Sequence, residues 1–308
     1  MPKTLSIVIP VFCNELSIRS LFDRLDRVAI KLSGEIGLHV IAVDDGSTDG
    51  SLALLVDLQR SRDDLTVVKL SRNFGPVNAF RAGLRFVEGD AFVVMAADLQ
   101  DPPELLVEMA RQWLGGSKFV IAVRQLRGDP WHSRALAWIY YKLVRTFVVK
   151  GYPERGFDMA LMDRVMLAPL RDSAKNTFTP LLAYWLGFEP TVVLYDRPKR
   201  EHGQSGWSFW RKFKVFLDVL LGFSATPIRL MSAIGVLVAF GSVLFGVRIV
   251  IGALRGQVPV SGFATVASLI TFLLGLILVI LGVIGEYLWR IFDEVNRRPE
   301  AMIDEVYS

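Results

Sequence analysis

Val93-Val94-Met95-Ala96-Ala97-Asp98-Leu99-Gln100-Asp101-Pro102-Pro103-Glu104 is the stretch whose reading decides the fold. The apolar run from Ala91 to Met95 reads as a buried strand that ends in small and then acidic residues. Pro102 and Pro103 stop it, and a helical pattern begins at Glu104. Open α/β sheets bind ligands at the carboxyl ends of their strands. Asp98 is therefore the first candidate to hold a divalent metal beside a phosphate. Asp98 and Asp101 would also serve simply to end the strand and cap the next helix, because Asp is a favoured N-cap residue. The local sequence leaves both readings open.

Outward from this stretch, Leu5–Pro10, Leu38–Val43, Thr66–Leu70 and Phe119–Val123 read as further strands. Helical patterns lie between them, at Glu15–Leu32, from Gly50 to Arg60 and from Gly75 to Val87. Near-continuous apolar strands alternating with helices predict an α/β fold, with a mostly parallel sheet covered on both faces. The strand ends are polar: Asn14-Glu15, Asp44-Asp45, Arg72-Asn73, Asp98 and Arg124. In a parallel sheet these ends share one edge, so they converge on one cleft. The chain has neither a Gly-x-Gly-x-x-Gly nor a Walker loop. A nucleotide there would be held by side chains and a metal.

The C-terminal third differs. No charge occurs between Arg229 and Arg248, or between Arg255 and Glu286. Two membrane spans are expected, at residues 227–254 and 264–289. A helical hairpin in a soluble core would keep a polar face. Before the spans, residues 131–150 and 208–222 carry apolar stripes opposite basic residues. The second, with Phe209, Phe213 and Phe216 against Arg211, Lys212 and Lys214, suits a membrane interface, with ordinary domain packing as the competing reading. Basic residues flank the outer ends of the two spans, and the loop between them is uncharged. The positive-inside rule then puts both termini and the α/β part in the cytoplasm, on the inner membrane. Met1-Pro2-Lys3-Thr4 leads into a strand without a signal-peptide pattern. A single cysteine, Cys13, excludes an internal disulfide and fits a reducing compartment. A net charge of +4, with basic residues gathered beside the spans, argues against nucleic acid. The expected organisation is a domain at 1–205, an interface helix at 206–226, and two spans with a cytoplasmic tail at 227–308.

Four motifs occur in order: Ile9-Pro10-Val11-Phe12-Cys13-Asn14-Glu15, Val43-Asp44-Asp45-Gly46-Ser47-Thr48-Asp49-Gly50, Ser71-Arg72-Asn73-Phe74-Gly75 and Ala97-Asp98-Leu99-Gln100-Asp101-Pro102-Pro103-Glu104. Together they resemble the inverting family 2 glycosyltransferases of the Rossmann-like GT-A fold. With two spans added, the layout resembles the polyprenyl-phosphate glycosyltransferases, a group that includes dolichol-phosphate mannose synthases and bactoprenol glucosyltransferases. The resemblance implies transfer of one sugar from a nucleotide-sugar, UDP-glucose first, to undecaprenyl or dolichyl phosphate in the bilayer. It implies Mg2+ or Mn2+ as cofactor and a homo-oligomer, a tetramer.

The resemblance also assigns residues. Pro10, Phe12, Glu15, Asp44 and Asp45 would line the nucleotide. Asp98 and Gln100 match a metal-binding Asp-x-Gln. Arg124, Arg134 and Arg200 match basic positions near the phosphates. Gly203 and Ser205 fall in an Arg-x-x-Gly-x-Ser pattern, with Ser205 on the donor side. Asp158 matches the acidic position of a Gly-Asp-Phe-Arg-Leu-like motif. Three positions depart from the family pattern: Ala96 replaces a second Asp, Cys13 is an extra residue, and Ala160 stands where Arg is usual.

An acceptor phosphate is already anionic, so it needs positioning by arginines more than a general base. Asp158 would then orient an arginine or the donor sugar. Two other readings compete with this one. A processive polysaccharide synthase would carry Gln-x-x-Arg-Trp, absent here, and more spans. A non-catalytic membrane scaffold would not need Asp44, Asp45, Asp98, Gln100 and Arg124 together.

Overall fold

The computed structural model describes residues 3–125, 138, 141–142, 144–146, 149, 151–154, 156–174, 177, 179–196, 222, 224, 226–256, 262–296 and 298–308. The chain divides into two compact units, Met1–Val215 with Pro299–Ser308, and Phe216–Arg298.

Among the described residues, the first unit is built on β1 (Lys3–Val11), β2 (Ile36–Asp44), β3 (Leu65–Leu70), β4 (Ala91–Val94), β5 (Phe119–Arg124), β6 (Met159–Asp163), β7 (Thr191–Tyr195) and β8 (Ile303–Tyr307). They form one sheet in the order β7-β5-β6-β4-β1-β2-β3-β8. β1 pairs in parallel with β2 and β4, β2 with β3, and β5 with β7. β6 runs antiparallel between β4 and β5, and β8 runs antiparallel along β3. The sheet is mostly parallel, as expected, and its parallel strands end on one edge.

The strands are apolar on both faces because both faces are covered. Leu5, Ile7, Ile9 and Val11 of β1 belong to one core; Val8, between them, belongs to the other. The first core is closed by α1 (Glu15–Leu32) and α4 (Leu105–Leu114), with Leu55 of α2 (Ser51–Gln59). Ile18, Leu21, Phe22, Leu25 and Val28 bury the inner stripe of α1. The second core is closed by α3 (Pro76–Gly83), α5 (Leu167–Arg171) and α6 (Thr179–Trp185).

Two helices make up the described part of the second unit, α7 (Thr226–Leu254) and α8 (Phe263–Val295). Each is long and apolar enough to cross a membrane, over Ile228–Ile249 and Phe272–Val295. Their large side chains are exposed within the chain, Leu237 and Leu278 among them. Soluble proteins rarely show such continuous apolar surface. α8 runs six residues beyond the expected 289, because helix geometry continues after the apolar stretch gives way to Asp293 and Glu294. The interface helix expected at 206–226 falls almost wholly outside the described residues.

The sequence reading groups the tail with the spans, and here the fold differs. Residues 299–308 return to the first unit and add β8 to the sheet. Lys69 of β3 meets Asp304 at 2.6 Å. β6, β7 and β8 were not foreseen as strands. β6 is Met-Ala-Leu-Met-Asp, without a β-branched residue, and β8 is a polar edge strand.

Candidate active site

Loops at the carboxyl ends of β1, β2, β3 and β4 build one side of the site. The β1 loop and the β2 loop are laced together: Cys13 N donates to Ser47 Oγ at 3.0 Å, Asn14 N to Ser51 Oγ at 2.9 Å, and Gly50 N to Glu15 Oε2 at 2.9 Å. The extra residue, Cys13, is absorbed by a left-handed turn at φ 52°, across which Phe12 N reaches Asn14 Oδ1. Phe12 is left half exposed, while Pro10 lies at the cavity described below.

Asp44 and Asp45 are both buried, yet they do different things. Asp45 accepts from Phe74 N at 2.7 Å and Gly75 N at 2.8 Å, so both its oxygens organise the β3–α3 loop. Burial pushes its carboxyl above the usual range, against the pull of those two amides; Asp44 adds to the rise and Arg72 opposes it. The two loops approach so closely that only a glycine fits at Gly46. A Cβ there would lie 2.6 Å from the Arg72 carbonyl carbon, and φ is +69°. Asp44 accepts from Ser47 N at 3.3 Å through Oδ2, while its buried Oδ1 has no hydrogen-bond partner among the described residues. A buried acceptor in that state is costly unless a donor arrives.

The β4 end makes a second feature. Leu99 takes φ +59°, a left-handed conformation that a branched side chain adopts at a cost of about 1 kcal/mol or more. Its side chain packs against the first core. The turn folds Gln100 N back to Asp98 Oδ1 at 3.2 Å, so Asp98 and Gln100 stand on one tight loop. Ser17 of α1 braces the approach by donating to Ala97 O at 2.7 Å. A carboxylate and a side-chain amide oxygen suit a hard divalent cation, although two ligands leave most of the shell to others. No cluster of three or more His, Cys, Asp or Glu with metal-binding geometry occurs among the described residues. The α4 N-cap is Glu104, without a side-chain cap bond, so neither Asp98 nor Asp101 caps that helix.

A third feature lies beside a cavity of about 290 Å³, lined by Pro10, Ala96, Phe80 and Thr179 together with the carboxylates Asp101 and Asp158. Arg124, at the end of β5, grips Asp158 with both Nε and Nη2. Tyr195, at the end of β7, places its hydroxyl 2.9 Å from Asp158 Oδ2 and 3.0 Å from Asp101 Oδ1. Burial, then the charges of Asp101 and Asp158, push the phenol far above its ordinary pKa, so it stays protonated and donates. Burial works against the Arg124 charge, but Asp158 outweighs it and holds the guanidinium protonated.

The structure thus brings Pro10, Phe12, Glu15, Asp44, Asp45, Asp98, Gln100, Arg124 and Asp158 to the strand ends of one unit. Arg134, Arg200, Gly203 and Ser205 lie outside the described residues. The sequence reading missed Tyr195. The strand-end rule applied to Thr191–Tyr195 would have found it, since that run is β-rich and ends in a Tyr.

A model of the family described as "Glycosyl transferase family 2" matches residues 6–170, the span that carries these loops. The chain belongs to glycosyl transferase family 2. It is a glycosyltransferase, and its mostly parallel sheet is of the GT-A kind. Relatives match along nearly their whole length. An uncharacterized glycosyltransferase of Synechocystis is 35% identical over 310 residues, covering 100% of this chain and 97% of the relative. The bactoprenol glucosyl transferase of Shigella phage SfII is 31% identical over 301 residues, covering 97% of each chain. Among solved structures, mannosyl-3-phosphoglycerate synthase from Rubrobacter xylanophilus is similar at a TM-score of 0.48 and 17% identity, over 71% of this chain and 72% of that one.

Proposed function

We propose that this glycosyltransferase transfers a single sugar from a nucleotide-sugar, UDP-glucose before GDP-mannose or an amino-sugar donor, to the phosphate of a membrane polyprenol, with inversion. The observation that carries this reading is the match to the bactoprenol glucosyl transferase over 97% of both chains, apolar helices included. The nucleotide would lie over Pro10, Phe12 and Glu15, and its N–H or hydroxyl groups would supply the donor that Asp44 Oδ1 lacks. Asp98 and Gln100 would hold a Mg2+ or Mn2+ ion. When bound, such an ion supplies Lewis-acid stabilisation of a leaving diphosphate. Asp158 fixes the plane of Arg124 at the cavity, and the proposed roles of Arg124, Arg134 and Arg200 are to position phosphate oxygens. The acceptor phosphate is its own nucleophile, so no side chain has to create one.

The test is a screen of UDP-glucose, GDP-mannose and UDP-N-acetylglucosamine with undecaprenyl phosphate, reading the lipid product by mass. Glucosyl-lipid is the expected product. Free sugar with no lipid product from any donor would overturn the acceptor assignment.

The tail bears on topology. The chain leaves the sheet before Thr226 and re-enters it at β8, so the segment between crosses a membrane an even number of times or not at all. Two spans with the sheet and Ser308 on the cytoplasmic side satisfy this and the charge bias. Reporter fusions at Ser308 should read cytoplasmic, and insertions at 259–262 should read external. An external Ser308 would overturn the cytoplasmic placement of the sheet.

A further inference from the structure

We propose that the C-terminal tail, residues 299–308, is a positioning element of the active-site cavity and acts through the ion pair of Glu300 with Arg81. Arg81 belongs to α3 and is only 5% exposed. Its Nε lies 2.7 Å from Glu300 Oε2, Nη1 donates to Ala174 O at 2.9 Å, and Nη2 donates to Ser173 O. One guanidinium therefore joins three separate segments: α3, the turn after α5, and the tail. Two of these lead straight to the cavity wall. α3 contributes Val77 and Phe80, and α6, just beyond the turn, contributes Thr179 and Ala183.

The tail has a second grip. Ser71 N donates to Met302 O at 2.9 Å, β8 pairs with β3, and Ala301 is buried in the core that also holds Phe80. Ser71 immediately precedes the Arg72–Gly75 loop, whose amides Asp45 holds. The tail thus grips the segment from Ser71 to Arg81 near both ends. That segment carries the loop on the nucleotide side and the helix on the cavity side.

Glu300 is needed to balance the buried charge of Arg81. Peptide carbonyls accept hydrogen bonds from a guanidinium but do not neutralise it. A buried cation that loses its carboxylate is strongly destabilised and turns toward water. If Arg81 turns out, it releases Ser173 and Ala174 and lets α3 and α6 shift. Glu300 sits five residues beyond the end of α8. The wall of the cavity is thereby tied to the chain just after the second apolar helix.

This inference rests on the proposed reaction only for the substrates of its assay. The experiment compares full-length wild type with Glu300→Gln, Glu300→Asp and the double variant Arg81→Met with Glu300→Gln. Each is measured for kcat and KM of sugar transfer, for unfolding temperature, and for amide hydrogen exchange. Glu300→Gln should lower kcat about tenfold or more. It should also raise exchange in Pro76–Gly83 and Thr179–Trp185 while β1 and β2 stay protected. Glu300→Asp should recover most of the rate. The double variant removes both charges and so should regain stability, yet keep the kcat defect, because Met cannot bond the Ser173 and Ala174 carbonyls. The proposal is overturned if Glu300→Gln keeps wild-type kcat and wild-type exchange in both helices. It is also overturned if the double variant restores turnover together with stability, which is the mark of a merely structural pair. A wild type that transfers no sugar would refute the proposed function instead, and the exchange measurements would still decide the role of the tail.

Discussion

Asp98→Asn is expected to lower metal-dependent sugar transfer by about two to three orders of magnitude and to leave the fold intact. The swap is nearly isosteric. Asn keeps an oxygen to accept from Gln100 N, so the Leu99 turn survives. What it loses is the charge that attracts a divalent ion. Nearby carboxylates of the described residues already serve other groups. Asp45 spends both oxygens on Phe74 and Gly75, and Asp101 takes the Tyr195 hydroxyl. Ala96 offers no second carboxylate two residues before Asp98. With so few protein ligands, Mn2+ should bind weakly to the empty enzyme and much more tightly with UDP present. Calorimetry with Mn2+, with and without UDP, measures this directly. Equal Mn2+ binding in both conditions, or near-normal turnover by Asp98→Asn, would move the metal elsewhere.

Asp158→Ala should cost about 3 kcal/mol of stability as well as most of the activity. Asp158 and Arg124 form a two-pronged pair, with side chains 15% and 24% exposed, so solvent softens the loss toward the lower end of what buried pairs show. Removing Asp158 strands the Arg124 charge and takes away one of the two carboxylates that Tyr195 serves. Arg124→Ala should be similarly harmful. The double variant should lose clearly less than the two single losses added together, because the residues act as one unit. Denaturant unfolding of all three variants gives the coupling directly. Strict additivity would mean that the contact is adventitious. Tyr195→Phe should be milder in stability, since it removes a hydroxyl rather than a charge, but it should still reduce turnover by releasing Asp101 from Asp158.

Much of this was legible locally. The end of β4 before Asp98 is legible because an apolar run that stops at an acidic residue and two prolines states its own end. The five strands from β1 to β5 and the helices between them carry their period in a dozen residues each. The two apolar helices are evident because about 20 uncharged residues cannot be covered by the rest of a chain this size. The strand-end rule gathers Asp44, Asp45, Arg72 and Arg124 from the sequence alone.

Which groups then meet was decided by the tertiary structure. Asp44 and Asp45 are adjacent and chemically identical, yet one keeps a buried oxygen without a hydrogen-bond partner among the described residues while the other holds a loop. The difference comes from where β3 ends and how closely Gly46 lets Arg72 approach. Tyr195 reaches Asp101 across 94 positions, and Lys69 reaches Glu305 across 236. β8 is polar because it lies at an edge, so composition does not announce it as a strand. By itself the sequence determined every element whose apolar pattern repeats within a few turns of chain, together with the end of the sheet where the site would lie. The tertiary structure alone decided that the tail returns to the sheet, that Glu300 neutralises Arg81, and that one phenol lies within hydrogen-bond reach of two carboxylates. Hydrophobic burial is written locally in a chain, whereas the partner of a buried charge is fixed only when distant segments pack.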